Sequence, residues 1–389
     1  MNITSKLPNV GTTIFTVMSQ LAIDHKAINL GQGFPDFDPD QKLLDLVCKA
    51  LNEGHNQYPA MAGVPALRQV ISDKVQKLYG HYYDPATEIT VTSGATEALM
   101  ASILAFVRSG DEVVIIEPFY DLYVPAIELA GGKPVVVTMA PPTESNPIYQ
   151  VDWNKVKDAI TTKTRALIIN FPHNPTGITL KESDLDALEE IVHDTGILII
   201  SDEVYEHLVF DGKNHLSMAS RELLADHTLV ISSFGKTYNA TGWKVGYVCA
   251  PKLLSAELRK VHQFTVFTVP SPMQVALASY VADPDPYLRL PAFYQNKRDL
   301  LIQGLKGSRF KPLAAEGTFF LLADYSEISD RSQAEFSEWL TKSHGVAVIP
   351  VSAFYVKPAQ FDASHRIVRF CFAKQDTTLS LAVERLQKV

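Results

Sequence analysis

The stretch Val230-Ile-Ser-Ser-Phe-Gly-Lys-Thr-Tyr-Asn-Ala-Thr-Gly-Trp-Lys-Val-Gly246 runs from a short apolar segment into a turn of serines, glycines and two lysines. From about residue 90 the chain repeats this pattern, with a helical stretch after many of the β-rich runs and polar turns. Runs that are apolar on both faces and separated by helices predict a mainly parallel sheet covered on both sides. We therefore expect an α/β fold whose large sheet has strands at residues 88–92, 112–116, 134–138, 166–170, 197–201, 229–232 and 246–250.

A break at Asp283-Pro-Asp-Pro286 suggests where this sheet domain ends. Beyond it, a long connecting helix is predicted over residues 288–306, followed by strands at 318–323, 346–349 and 367–372. The first 40 or so residues have weak periodicity and Gly/Pro-rich turns, which favours an arm. We expect an N-terminal arm over residues 1–45 that joins the small domain, a large domain over 46–286 and a small α+β domain over 287–389.

Composition narrows the possible partners and the cellular location. The 389 residues are 46% hydrophobic and 20% charged, which is ordinary for a folded globular protein. The net charge of -8 and the scattered basic residues argue against nucleic acid and anionic membranes as partners. No run approaches the ~18 apolar residues of a membrane span. Cys48, Cys249 and Cys371 lie far apart and the histidines lack metal-ligand spacing, so we expect reduced thiols, a cytoplasmic protein and no metal.

Functional groups follow the predicted strands at the ends where parallel sheets bind ligands. In an open parallel sheet, ligands bind outside the carboxyl ends of the strands. Five predicted strands end in turns rich in polar side chains, at residues 93–98, 117–120, 170–177, 201–205 and 232–236. Together these turns predict one site along a single edge of the sheet.

Lys236 lies at the end of a buried strand, where burial lowers the pKa of an amine and favours the free base. A free amine condenses with carbonyl groups, and lysine is the residue that holds pyridoxal phosphate (PLP) as a Schiff base. Considered alone, a lysine in such a turn is more often a solvated surface residue. The other strand ends decide between the two interpretations.

Asp202 and Arg369 are charged residues in otherwise apolar strands, and each requires an opposite charge. A protonated pyridine nitrogen would satisfy Asp202, although a carboxylate at this position can also cap a turn or helix. A substrate carboxylate would suit the guanidinium of Arg369. The alternative for Arg369 is a salt bridge at the edge of a strand.

The turn from Thr92 to Glu97 precedes an apolar helical stretch and predicts a phosphate site. Amides at a helix N-terminus bind phosphate, and Gly94 permits close approach, with Ala95 and Thr96 next in the turn. An ordinary capping box, from Ser93 to Thr96 or Glu97, explains the same residues. Ser233 would supply a hydroxyl and Lys244 a positive charge to the phosphate of the cofactor. Asn174 and Tyr205 would donate hydrogen bonds to its phenolic oxygen, and the ring of Tyr120 would stack on its pyridine ring. The two tyrosines are equally typical of a packed core.

Eight segments in the right order resemble the class I, fold-type I PLP-dependent aminotransferases. The resemblance extends from about residue 30 to the C-terminus and is closest to the branch of methionine aminotransferase and kynurenine aminotransferase (glutamine transaminase K). The segments are Gly31-Gln-Gly-Phe-Pro-Asp-Phe37, Asn56-Gln-Tyr58, Glu117-Pro-Phe-Tyr-Asp121, Asn174-Pro-Thr-Gly177, Ser201-Asp-Glu-Val-Tyr-Glu206, Lys236 with Thr241-Gly-Trp-Lys-Val-Gly246, Glu316-Gly-Thr-Phe-Phe320 and Arg369-Phe-Cys-Phe372.

The resemblance implies a ping-pong transamination between an amino acid and a 2-oxo acid. It makes Lys236 the Schiff-base lysine and Asp202 the partner of the pyridinium. Arg369, with Asn174 and the backbone of Gly33, would bind the substrate carboxylate. The remaining cofactor ligands implied are Gly94, Ala95, Thr96, Tyr120, Asn174, Tyr205, Ser233 and Lys244, the last standing where many aminotransferases have arginine.

The same resemblance implies a homodimer in which Tyr58 reaches the neighbouring active site. No second arginine is marked for an acidic side chain, so we expect neutral, apolar substrates: methionine first, then aromatic amino acids, leucine and glutamine. Aromatic side chains expected in the substrate pocket are Phe15, Phe34, Tyr58 and Phe119.

Other functions remain open on these residues. The same cofactor would support a kynurenine or glutamine transaminase, or a carbon–sulfur β-lyase acting on cysteine conjugates. Ser233-Phe-Gly-Lys236 also matches the S-x-x-K pattern of serine acyl-enzymes, but the accompanying K-T-G box is missing. A non-catalytic binding protein is the remote alternative. A dinucleotide enzyme is disfavoured because no G-x-G-x-x-G follows a strand.

Overall fold

The computed structural model describes residues 3–143, 146–362 and 365–389. Its strands are β1 (Ile28–Asn29), β2 (Ile89–Thr92), β3 (Glu112–Glu117), β4 (Lys133–Thr138), β5 (Thr164–Asn170), β6 (Leu198–Asp202), β7 (Thr228–Ser233), β8 (Gly246–Cys249), β9 (Lys311–Pro312), β10 (Phe320–Asp324), β11 (Val346–Ala347), β12 (Ile349–Pro350) and β13 (Ile367–Cys371).

The α-helices are α1 (Ile14–Asp24), α2 (Gln41–Asn52), α3 (Pro65–Tyr79), α4 (Gly94–Phe106), α5 (Tyr123–Leu129), α6 (Trp153–Asp158), α7 (Glu182–Thr195), α8 (Glu222–Ala225), α9 (Phe234–Thr237), α10 (Lys252–Thr265), α11 (Ser271–Val281), α12 (Asp285–Leu288), α13 (Leu290–Leu305), α14 (Gln333–His344), α15 (Pro358–Asp362) and α16 (Asp376–Leu386). None of these helices is long and apolar enough to cross a bilayer.

The large sheet has seven strands in the order β2-β8-β7-β6-β5-β3-β4. Every neighbouring pair is parallel except the two pairs made by β8, which runs antiparallel to β2 and β7. Alternate residues of one strand enter different cores: Val114 and Ile116 belong to one apolar cluster, Val113 and Ile115 to the other. The prediction of a mainly parallel sheet with both faces covered is confirmed.

Strand register brings the polar turns to one edge of this sheet. Gly246 at the start of β8 pairs with Thr92 and with Ser233, which end β2 and β7. Because β8 runs in the opposite direction, the residues before it lie beside the carboxyl ends of the other strands. A Cβ on Gly246 would lie 2.7 Å from the carbonyl oxygen of Ser232 and 2.9 Å from the carbonyl carbon of Gly94, so only glycine fits here.

The C-terminal part contains a four-stranded sheet in the order β12-β13-β10-β9, whose pairs are all antiparallel. The single strand expected at 346–349 is two strands, because β11 pairs with β1 while β12 pairs with β13. The strand expected from residue 318 begins at Phe320, since the positive φ of Thr318, 66°, is incompatible with a strand. The helix expected over 288–306 is α13, which begins two residues later with Pro291 in its first turn.

The N-terminal segment contacts this small lobe. Thr13 caps α1 by accepting a hydrogen bond from the amide of Thr16, and β1 pairs in parallel with β11. Met18 of α1 packs with Ile349 and Phe354. The domain limits at 45/46 and 286/287 remain predictions, and the first two residues of the expected arm lie outside the described part of the chain.

Candidate active site

A cavity of about 290 Å³ lies at the polar edge of the large sheet, against the small lobe. It is lined by residues from the N-terminal segment, the large sheet with its turns, and the C-terminal sheet: Phe15, Gln32, Gly33, Gly94, Ala95, Thr96, Leu99, Tyr120, Asn170, Asn174, Asp202, Val204, Tyr205, Ser233, Gly235, Lys236, Thr241, Lys244, Val245, Phe320 and Arg369. Every residue expected to bind the cofactor or the substrate carboxylate is in this set, whereas Tyr58 and two of the expected aromatic residues are not. The structure therefore brings together side chains separated by more than 300 positions in the chain.

Lys236 is held in α9, the short helix that follows β7. Its Nζ donates a hydrogen bond to the backbone oxygen of Gly33 at 3.0 Å. Burial lowers the pKa of Lys236 to about 8, and the positive charges of Arg369 and Lys244 act in the same direction. The free amine, which nucleophilic and basic roles require, is therefore far more abundant near neutral pH than for an ordinary lysine.

Asp202 ends β6 and is 4% exposed. Burial raises the pKa of its carboxyl group to about 6, although hydrogen bonds from Tyr123 and the Val204 amide partly offset that effect. The hydroxyl of Tyr123 donates to Oδ2 at 2.8 Å, and the side chain of Asn170 donates to the backbone oxygen of Asp202 at 2.8 Å. The site thus contains a buried carboxylate that a cation would stabilise.

A chain of hydrogen bonds leads from the backbone oxygen of Asp202 to Arg369. The side-chain oxygen of Asn170 accepts the amide of Asn174 at 3.0 Å, and the side-chain oxygen of Asn174 accepts Nη1 of Arg369 at 2.7 Å. Nη2 of Arg369 donates to the backbone oxygen of Gly31 at 3.2 Å. Neutral oxygens therefore orient this guanidinium.

Arg369 is 1% exposed, and aromatic rings surround its charge. Its Cζ lies 3.8 Å from the ring centroid of Phe320, 4.8 Å from that of Phe354 and 5.3 Å from that of Phe15. Burial lowers its pKa to about 10, and Nε has no hydrogen-bond partner among the described residues. Within that same part of the chain, no carboxylate lies within ion-pair distance of this buried cation.

At the opposite side of the cavity, α4 begins with Gly94, Ala95 and Thr96. The first amides of a helix have no acceptor within the helix, and they face an anion favourably. Nζ of Lys244 donates to Oγ1 of Thr96 at 3.1 Å and would lie 3.3 Å from a Cβ on Gly94. Of the two alternative capping boxes, only the Glu97 contact is present: its Oε2 accepts the Ser93 amide at 3.0 Å.

Three aromatic residues expected in the substrate pocket do not line this cavity. Tyr58 is 83% exposed and packs edge-on against Phe267, 5.4 Å between centroids. Phe34 lines a separate groove, where its ring centroid lies 5.2 Å from Nζ of Lys374. Phe119 is 6% exposed within the core on one face of the sheet. The expectation is wrong for Phe34 and Phe119, and Tyr58 was expected at a neighbouring subunit's site.

Sequence reasoning missed Tyr123 and Asn170, which support Asp202 and Asn174 without bearing charge themselves. Asn170 ends a predicted strand beside Asn174, and this position was a usable signal. Tyr123 gave no such signal, because it lies 79 residues from Asp202 in the chain and their contact depends on how α5 packs on the sheet.

The chain matches the family described as aminotransferase class I and II over residues 25–386. It belongs to this family. Methionine aminotransferase of Escherichia coli is 48% identical over 99% of this chain and 98% of its own length. Kynurenine–oxoglutarate transaminase 1 of Homo sapiens is 36% identical over 95% of this chain and 94% of its own. N-succinyldiaminopimelate aminotransferase from Mycobacterium tuberculosis has a solved structure with a TM-score of 0.94 and 40% identity, covering 100% of both chains.

Aminotransferases of this family depend on PLP, and the residues present fit that cofactor. Its phosphate matches an anion site made of helix amides, Lys244 and Ser233. Its pyridine nitrogen matches the carboxyl group of Asp202, which is buried and meets a tyrosine hydroxyl and a backbone amide but no cation within ion-pair distance among the described residues. Its carbonyl matches the amine of Lys236.

Proposed function

We propose that this aminotransferase converts neutral, apolar amino acids, with methionine preferred, using a 2-oxo acid as acceptor in a ping-pong cycle. One observation carries the proposal: buried Arg369, whose hydrogen-bond acceptors among the described residues are all neutral oxygens, lines the same cavity as Lys236. A guanidinium binds a carboxylate through paired hydrogen bonds, which would place the α-amino group of a substrate toward the amine of Lys236.

The expected ligands of the cofactor follow the geometry of the cavity. When bound, PLP supplies a carbonyl carbon for amines and a ring that accepts the electron pair released at the substrate Cα. Lys236 would form the covalent link, and Asp202 would keep the pyridine nitrogen protonated. Tyr120 would stack on the ring, and the remaining polar contacts would come from Asn174, Tyr205, Gly94, Ala95, Thr96, Ser233 and Lys244.

Proton transfer at the substrate Cα is assigned to Lys236. A base with a pKa of about 8 both accepts and returns a proton near neutral pH. Tyr205 is 3% exposed, and its ring lies 5.8 Å from Nζ of Lys236, measured to the centroid. Tyr205 therefore limits the positions open to the amine and excludes water from one side of it.

The preference for an uncharged side chain is supported by five apolar side chains in the cavity wall: Phe15, Leu99, Val204, Val245 and Phe320. Among the described residues that line the cavity, Arg369 is the only arginine. An acidic side chain would need a second cation, since burying an unpaired carboxylate is costly. Aromatic walls also suit kynurenine, and the human relative makes kynurenine transamination the second candidate.

A homodimer is supported by apolar side chains left on the surface. Tyr58, Leu253 and Phe264 are each more than 80% exposed, and Phe267 packs against Tyr58. In a dimer, Tyr58 would reach the neighbouring cavity. Light scattering of the purified protein tests the assembly. Free thiols at Cys48, Cys249 and Cys371 favour a reducing compartment, and we place the activity in the cytoplasm.

The deciding experiment is an absorbance titration of the purified protein with methionine in the absence of an acceptor. We expect a visible band that bleaches, and we expect borohydride reduction to leave a pyridoxyl phosphate adduct on the peptide containing Lys236. An adduct on Lys244 would contradict the assignment of the amine. Faster bleaching with aspartate than with methionine would contradict the preference, and pyruvate release from a cysteine conjugate without bleaching would favour the β-lyase.

A further inference from the structure

A buried histidine–glutamate pair lies behind the turn that begins α4, outside the cavity. Nδ1 of His262, on α10, lies 3.0 Å from Oε1 of Glu97 in the first turn of α4. The histidine side chain is fully buried, and that of Glu97 is 11% exposed. Nε2 of His262 lies 3.1 Å from the backbone oxygen of Met61.

The partners of this pair determine how many protons it holds. A backbone carbonyl only accepts hydrogen bonds, so Nε2 of His262 carries a proton toward Met61. Oε2 of Glu97 accepts the Ser93 amide, which leaves one proton in the contact between Nδ1 and Oε1. The pair is either an imidazolium with a carboxylate or two neutral groups. In both cases its net charge is zero.

This neutrality matters because Glu97 shares its helix terminus with the proposed phosphate site. Its carboxyl group binds the amide of Ser93, directly before the amides of Gly94, Ala95 and Thr96. An uncompensated carboxylate there would satisfy the helix dipole itself and would repel a second anion. The ring of His262 cannot turn away without losing both of its contacts.

We propose that His262 is a positioning residue that neutralises Glu97 and so keeps the first turn of α4 available to the phosphate of the cofactor. This inference rests on the proposed phosphate site. It predicts that Glu97 weakens cofactor binding only when His262 is removed. A residue that merely packs would not show such a dependence on its partner's charge.

The test measures dissociation constants of PLP and of pyridoxal, which lacks the phosphate, with cofactor-free protein. In His262→Gln a neutral amide takes the place of Nε2 facing Met61, and Glu97 loses the imidazole that keeps the net charge of the pair at zero. We expect PLP to bind roughly tenfold more weakly and pyridoxal to change by less than about threefold. In His262→Gln/Glu97→Gln, PLP affinity should return to within about threefold of the wild type.

Equal PLP affinity in His262→Gln and wild type, or no recovery in the double variant, would overturn the inference. Should His262→Gln fail to fold, Glu97→Gln decides alone: it should bind PLP at least as tightly as wild type, and roughly tenfold weaker binding would overturn the role. Wild-type protein that binds pyridoxal as tightly as PLP would instead refute the proposed phosphate site.

Discussion

Asp202 and Glu206 are buried carboxylates four residues apart that face opposite environments. Both are at most 5% exposed. Glu206 lies in a buried network away from the cavity, where it accepts hydrogen bonds from Lys74 at 2.7 Å, Tyr79 at 2.7 Å and Tyr247 at 2.9 Å, and from Ser232. Asp202 faces the cavity and has no cation within ion-pair distance in the described ranges.

Their pKa values move in opposite directions for this reason. Burial alone would raise both. The positive charge of Lys74 and the hydrogen bonds from Lys74 and Ser232 hold the pKa of Glu206 well below its usual range. The hydroxyl of Tyr123 offsets burial only in part, and the pKa of Asp202 rises to about 6.

Two buried arginines repeat the contrast. Arg298 makes paired contacts of 2.7 Å to both carboxylate oxygens of Asp211, and these bonds raise its pKa. Burial lowers the pKa of Arg369, which meets amide and carbonyl oxygens and aromatic rings. Charges that the chain pairs internally stabilise the fold. Asp202 and Arg369, which have no ion-pair partner in the described part of the chain, face the cavity, where a ligand would supply one.

The largest effect should come from the cavity amine. Lys236→Ala should lower the transamination rate on the order of 10⁴-fold, because the substrate α-proton loses its base, while the melting temperature stays the same or rises. Stopped-flow half-reactions with methionine and a thermal melt measure the two quantities. Lys244→Ala is the control and should keep the visible band. A large loss of thermal stability in Lys236→Ala would break the contrast.

Lys74, the amine that pairs with Glu206 in the interior, should affect stability and not the reaction. Lys74→Met should lower the free energy of unfolding by about 3–5 kcal/mol, since Glu206 is left as an uncompensated buried charge. Urea unfolding of cofactor-free protein checks this value. The double variant Lys74→Met/Glu206→Leu should recover most of the loss. If it does not, packing rather than charge explains the effect.

Asp202 should make stability depend on pH. Its folded-state pKa of about 6 exceeds the usual ~3.9, so its contribution to stability is complete below about pH 4 and is lost as pH rises through 6. Asn cannot ionise. The unfolding free energy of cofactor-free Asp202→Asn, relative to wild type, should therefore increase by about 2–3 kcal/mol between about pH 4 and pH 8.

Glu206 should give the opposite dependence in the same pH series. Because its pKa is lowered in the folded protein, Glu206 contributes stability at pH values above the usual glutamate pKa. This contribution is lost as the pH falls through the lowered pKa. Glu206→Gln should therefore be most destabilised relative to wild type at neutral pH. Parallel curves for Asp202→Asn and wild type would show that the carboxyl group of Asp202 is not strained by burial.

The smallest expected change in stability distinguishes Arg298 from Arg369. Arg298→Met should cost about 1–2 kcal/mol of stability, because Asp211 is half exposed and water partly replaces the lost bonds. Arg369→Met should leave stability unchanged or raise it, while the KM for methionine increases. Chemical unfolding and steady-state kinetics measure these changes. Equal destabilisation by both substitutions would contradict the distinction.

Much of the fold and of the site follows from local signals in the sequence. Apolar runs predicted the seven strands because the sheet is covered on both faces, and α7 ends at Gly196, whose left-handed conformation is typical of a helix C-terminus. Charged residues within apolar strands, such as Asp202 and Arg369, were identifiable because burying a charge requires a partner. Boundaries were less predictable: 346–349 divides between two sheets, and partners distant in sequence decided that division.

The sequence by itself determined which amine, carboxylate and guanidinium lie in or directly after buried strands, and which family pattern they match. Only the tertiary structure decided how those groups are supported. Tyr123 on Asp202, the three rings around Arg369 and His262 on Glu97 are contacts between elements far apart in the chain. Such contacts depend on the packing of helices against the sheet, and no local pattern of residues encodes them.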